Sequence, residues 1–136
     1  MSRRPPPVPP RPDQERRPEG AFGWLDAALL HDGWLAEAGP HAAAVLVLLA
    51  LAADRRGASF FGRNRMAEVL GMSRHEVDVA LQRLAALDLV AMRPWRDGGA
   101  DGVWQLIPTP CRRKQERASR VLSVAELLRG LGFPAP

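Results

Sequence analysis

"RMAEVLGMSRHEVDVALQRLAALDLV", residues 65–90, reads as two helices joined by one glycine. Met66 and Leu70 recur at helical spacing before Gly71, and Ala80, Leu81 and Leu84 recur so after it. The two sets make one apolar seam, so the helices are expected to pack against each other. Ser73 and Glu76 form the pattern S-x-x-E. In that capping box the serine hydroxyl accepts from the backbone N–H at Glu76, and the glutamate accepts from the serine N–H. The second helix therefore starts at Ser73, and the negative charge of Glu76 suits its N-terminal end.

The surrounding chain supplies the rest of a single domain. Upstream, "AAAVLVLLALAA", residues 42–53, is the most apolar run. Twelve residues fall short of the roughly 20 that a membrane-spanning helix needs, so it reads as a buried helix rather than a membrane span. Gly39-Pro40 opens that helix, expected over residues 40–54, and Gly57 is expected to close it. "ASFF", residues 58–61, is short and β-like, suited to a small edge strand, and a helix over residues 63–70 follows. Before the central helix, Phe22, Trp24, Leu25, Leu29, Leu30, Trp34 and Leu35 are expected to close one side of the core, broken by the turn dipeptide Asp32-Gly33. Downstream, "LVAMRPW" and "VWQLIP" flank "RDGGADG", which predicts a β-hairpin. Trp95 and Trp104 are expected to pair across its strands, contributing about 0.2–1 kcal/mol.

These readings divide the 136 residues into three parts. Residues 1–20 hold seven prolines, and since proline fixes φ and lacks a backbone donor they read as a disordered Pro/Arg-rich arm. "PPPVPPRP" within it has the form of a ligand for an aromatic-lined groove, against the plainer reading of a solvated basic leader. Residues 21–110 are the folded domain, and residues 111–136 are a basic connector with a C-terminal amphipathic helix over about 119–130. Charge follows the same division. The net +4 resides in the flanks, since residues 21–110 hold eight Arg against ten acidic groups. A basic total favours an anionic partner, but the acidic centre says that contact charge has to come from outside it. Cys111 is the sole cysteine, which excludes an intrachain disulfide. With no apolar run of signal-peptide kind behind the leading arginines, the expected compartment is the cytoplasm.

An order of helix, short strand, two helices and hairpin, with Ala67, Gly71, Met72 and Val77 at these spacings, resembles the winged helix-turn-helix family of DNA-binding domains. Ala67 is the small residue that permits close helix crossing, Met72 plugs beneath the turn, and Val77 points inward. The likeness covers about residues 40–108 and is nearest to small bacterial regulators and the winged domains of plasmid or phage replication proteins. It implies a mainly α fold with a small β-hairpin. It also implies that the second helix presents Ser73, Arg74, His75, Asp78, Val79 and Gln82 outward to duplex DNA.

On that reading Arg74 suits guanine O6 and N7, and Gln82 suits adenine. Asp78 either accepts from cytosine N4 or pairs with Arg74 one turn back. The pairing is the expectation, because it needs no particular DNA sequence. Arg93 and Arg96 in the hairpin are placed to reach phosphate or a narrow minor groove, opposed by Asp97 and Asp101. "RRKQER", residues 112–117, with Arg112, Arg113 and Lys114, is placed to follow a phosphate backbone.

His31, His41 and His75 assemble no metal-ligand spacing, and no cofactor is expected. No nucleophile–base set or phosphate loop is present, so an enzyme is not expected. Val121, Leu122, Val124, Leu127, Leu128 and Leu131 form an apolar stripe. It either returns to its own domain, pairs with a second copy or docks into a partner protein through residues 119–131. The expected function is sequence-specific binding of double-stranded DNA, as a dimer, in transcription regulation or as a replication accessory. The alternative is a protein–protein interaction module that does not read DNA.

Overall fold

In the computed structural model, residues 7–99 and 101–111 are described. Residues 7–20 are exposed throughout and hold one 3-10 turn at Pro12–Gln14. The domain then runs α1 (Ala28–His31), α2 (Trp34–Ala38), α3 (Pro40–Ala52), β1 (Ala58–Ser59), α4 (Arg63–Leu70), α5 (Arg74–Ala86), β2 (Val90–Pro94) and β3 (Gly102–Leu106). The strands form an antiparallel sheet in the order β1-β3-β2, so the middle strand is the last in sequence. Among the described residues no helix is long and apolar enough to cross a membrane.

The centre of the molecule is α3, which buries Ala42, Val45, Leu46, Leu48, Leu49 and Ala50. Proline begins it, where a missing N–H is harmless. It ends at Ala52 with Ala53 extended, two residues before the expected limit. Gly57, expected to terminate it, instead shapes the turn into β1 with φ 80°. The Asp54 carboxylate organises that turn by accepting from the backbone N–H groups of Arg56 and Ala58 at 2.8 and 3.0 Å. An aspartate that bonds the following backbone offers it an alternative to helical bonds and so favours a turn there.

Against α3 pack α4 and α5. Met66 and Val77 are fully buried, with Ala80, Leu81 and Leu84 beside them, and Ala67, Leu70 and Met72 lie against the same core. Gly71 carries φ 64° at the end of α4, and the Met72 N–H reaches the Ala67 carbonyl at 3.0 Å. A Cβ on Gly71 would meet no atom within 4 Å, so the glycine answers a backbone demand and not a steric one. At the end of α5 the same motif recurs with Asp88 at φ 58° and Leu89 N–H bonded to the Leu84 carbonyl at 3.0 Å.

The core expectation for the first apolar segment holds in part. Leu29 and Trp34 are buried and Leu35 is partly so, but Phe22, Trp24, Leu25 and Leu30 are exposed. The cause lies at Gly23, where a Cβ would stand 2.3 Å from the Ala50 carbonyl oxygen. The backbone itself lies on α3 there, so its side-chain neighbours splay outward. The tryptophan pair also differs from expectation. Trp104 is buried opposite Met92, whereas Trp95 lies beyond the paired residues and stacks on Phe60 with ring centroids 6.1 Å apart.

Candidate nucleic-acid interface

The buried residues of α5 are Val77, Ala80, Leu81 and Leu84. Helical periodicity then places His75, Asp78, Val79 and Gln82 away from the core, with Arg74 at the start of the same face. His75, Val79 and Gln82 are exposed, whereas Arg74 and Asp78 are half-buried. Ser73 is exposed, but its hydroxyl is engaged in the helix cap. It accepts from Glu76 N–H at 3.1 Å while Glu76 Oε1 accepts from Ser73 N–H at 3.0 Å. These bonds hold the Glu76 carboxyl below its usual pKa, the backbone bond from Ser73 being the main cause. Glu76 Oε2 also lies 2.9 Å from His41 Nε2, at the start of α3. Glu76 thus belongs to helix initiation and to the α3–α5 junction.

Asp78 pairs with Arg74, as the spacing suggested, at 3.4 Å. A second and closer partner comes from α4: Arg63 Nη1 donates to the same Asp78 oxygen at 3.0 Å. Arg63 Nε donates in turn to Asp101 Oδ1 at 3.0 Å, and Arg63 N–H points to that oxygen at 3.3 Å. Asp101 is therefore paired with Arg63 rather than standing as a free charge in the hairpin loop. It closes the first turn of α4, where a carboxylate complements the helix dipole. The Arg63 bond, opposed by partial burial, holds Asp101 below the ordinary carboxyl range. Burial works against the Arg63 charge, but the two carboxylates outweigh it and raise its pKa. Arg74 also donates to Asn64 Oδ1. Two arginines and two aspartates thereby tie α4, α5 and the hairpin into one network without net charge.

Beside that network the β2–β3 hairpin presents Arg93 and Arg96, both exposed. At β3's start, a Cβ on Gly102 would fall 2.0 Å from the Arg93 carbonyl, so only glycine permits this close strand approach. The Phe60–Trp95 stack, with both rings largely exposed, lies at the loop end of the hairpin, just past the last paired residues Pro94 and Gly102. Arg83 is exposed in part but turned to a structural task, donating to the Glu37 carbonyl at 3.1 and 2.8 Å and so fixing α5 to α2. Arg112, Arg113 and Lys114 lie outside the described residues.

Sequence reading missed Arg63. Its partners lie 15 and 38 residues away, so no local spacing signals them. The exposed Phe60–Trp95 stack was missed for the same reason. No protein-family profile, curated protein or solved structure matches the chain.

Proposed function

We propose that this domain is a winged helix-turn-helix reader of duplex DNA, with α5 entering the major groove and the β2–β3 hairpin lying along the adjacent backbone. The observation that carries this reading is an exposed α5 face joined, through Arg63 between Asp78 and Asp101, to a hairpin with two exposed arginines. The face offers Arg74, His75, Val79 and Gln82, and the hairpin offers Arg93 and Arg96. The element order and the β1-β3-β2 sheet support it as well. Arg74 is held by Asp78 and Asn64 with part of its side chain open, an arrangement that pre-orients a guanidinium for bidentate contact with guanine. Val79 offers an apolar surface for a thymine methyl, and Gln82 offers an amide for adenine.

Because the Arg63–Asp78–Arg74–Asp101 network carries no net charge, phosphate attraction would come from Arg93, Arg96 and the basic residues after Cys111. A protein of this kind would act in bacterial transcription control or as a replication accessory. A second reading, a protein-docking module, draws on the excess of acidic groups in residues 21–110. Titration of salt against affinity for random-sequence duplex separates the two. A DNA reader shows log K falling steeply with log salt, since each neutralised phosphate contributes a slope of about −0.9. No binding at low salt would reject the DNA reading in favour of protein docking.

A further inference from the structure

On the side of α3 reached by the segment before α1 lies a cleft of about 680 Å³. Leu46 and Ala50 of α3 contribute to it, as do Phe22, Trp24 and Leu25 before α1 and Ile107 after β3. Phe22 and Trp24 are 67% and 72% exposed, although Gly23 between them fixes their backbone against Ala50. The lining is mainly apolar, although Asp54, Arg55 and Arg56 also contribute to it. Large aromatic side chains held uncovered around such a cleft mark a surface that something covers.

The place where the described chain ends identifies the occupant. Pro108 and Thr109 line the same cleft, and Thr109 Oγ1 donates to Asp26 Oδ2 at 2.9 Å, tying the two chain segments together beside it. The chain leaves this anchor at Cys111 with 25 residues still to follow. Their sequence holds the stripe Val121, Leu122, Val124, Leu127, Leu128 and Leu131. The ten-residue step from Cys111 to Val121 reaches at most about 35 Å, and a helix over the expected 119–130 would be about 18 Å long, close to the length of α3. Both lengths allow the stripe to return without strain. Local tethering also gives it a high effective concentration over the cleft, an advantage no free partner has.

We infer that residues 121–131 of the same chain seat their apolar stripe in this cleft, covering Phe22 and Trp24. The basic stretch at 112–117 is then held at the domain surface. This inference does not rest on the DNA-reading proposal.

Oxidative footprinting of the full chain tests it, read residue by residue by mass spectrometry. In a Leu127→Asp, Leu128→Asp variant, Trp24 and Phe22 should label severalfold faster than in the parent, while the buried Trp104 labels at the parent rate. The reciprocal variant, Phe22→Ser with Trp24→Ser, should raise labelling at Leu127 and Leu128, which keeps the test decisive if either variant is poorly folded. Protection in the parent should persist on dilution, with the chain monomeric by sedimentation. Equal Trp24 labelling in parent and Asp variant would overturn the inference. Protection lost on dilution would do so too, because it would assign the cleft to a second copy.

Discussion

Replacing Arg63 with Met isolates the bond set that joins the hairpin to α4 and α5. Met retains an apolar stem of similar length and removes the charge, so packing changes little. Two limits bracket the cost. An exposed pair contributes about 0.2–1 kcal/mol, whereas removing one partner of a fully buried pair costs about 3–5 kcal/mol. The Arg63 side chain is 17% exposed and its partners Asp78 and Asp101 are 31% and 47% exposed. That places the site nearer the first limit than the second, and the expected loss is about 1–2 kcal/mol.

Asp101→Asn removes one carboxylate charge from both Arg63 and the start of α4. A double-mutant cycle with Arg63→Met should therefore leave a coupling of about 0.5–1 kcal/mol. Urea unfolding followed by the fluorescence of Trp34 and Trp104, both buried, measures each corner. The acid limb provides a second reading. A carboxylate whose folded pKa is lowered stabilises the fold above its unfolded value and loses that contribution as pH falls through the folded one. Asp101 is lowered chiefly by Arg63. Below about pH 4, near the ordinary carboxylate value, Arg63→Met should thus lose less stability than the parent does. A variant within about 0.3 kcal/mol of the parent, with no coupling and an unchanged acid limb, would refute the network's role.

Further outcomes follow from single sites. Ser73→Ala should cost about 0.5–2 kcal/mol by leaving the Glu76 N–H without its cap acceptor, measured by the same unfolding assay. Glu76 is lowered by the same cap, so the parent's advantage over Ser73→Ala should shrink as pH falls through and below the ordinary glutamate range. Gly71→Ala should cost about 1 kcal/mol, the backbone penalty of a left-handed residue. Asp88→Gly should stabilise by a few tenths to about 1 kcal/mol for the same reason in reverse, and a loss of stability there would contradict the αL assignment. In DNA binding, Arg74→Ala should weaken discrimination by about 1–3 kcal/mol at one base pair, while deletion of residues 112–117 should weaken all sequences alike. Competition assays with altered duplexes distinguish these two outcomes.

What was legible in the sequence was whatever depends on neighbours within one turn or one alternation. The Ser73–Glu76 cap, the Gly71 turn, the seam through Met66 and Leu84, and the β2–β3 hairpin all have that local origin. Hydrophobicity alone marks Phe22 and Trp24 for burial, whereas Gly23 lays the backbone between them against Ala50 and both side chains stand exposed. Two tryptophans flanking a loop read as a cross-strand pair, but the strands end at Pro94 and Gly102, and Trp95 meets Phe60 instead. Within the hairpin Asp101 reads as an unpaired charge, since nothing there foretells an arginine 38 residues earlier.

The same network explains how an acidic residue can stand on a face proposed to meet DNA. Asp78 is not free to repel phosphate: Arg63 and Arg74 share one of its oxygens, and its charge is spent on holding Arg74 in place. Replacing Asp78 with Asn should then act in two directions at once. Loss of a negative charge should raise affinity for random duplex, with a steeper salt slope, because an arginine formerly neutralised becomes available to phosphate. Loss of the brace should lower discrimination at the base addressed by Arg74, because a guanidinium free to swing adapts to several acceptors. If instead Asp78 reads cytosine directly, Asp78→Asn should alter preference at its own base pair and leave Arg74's intact. Binding to a panel of single-base duplex variants distinguishes these, and discrimination unchanged at every position would remove Asp78 from recognition altogether.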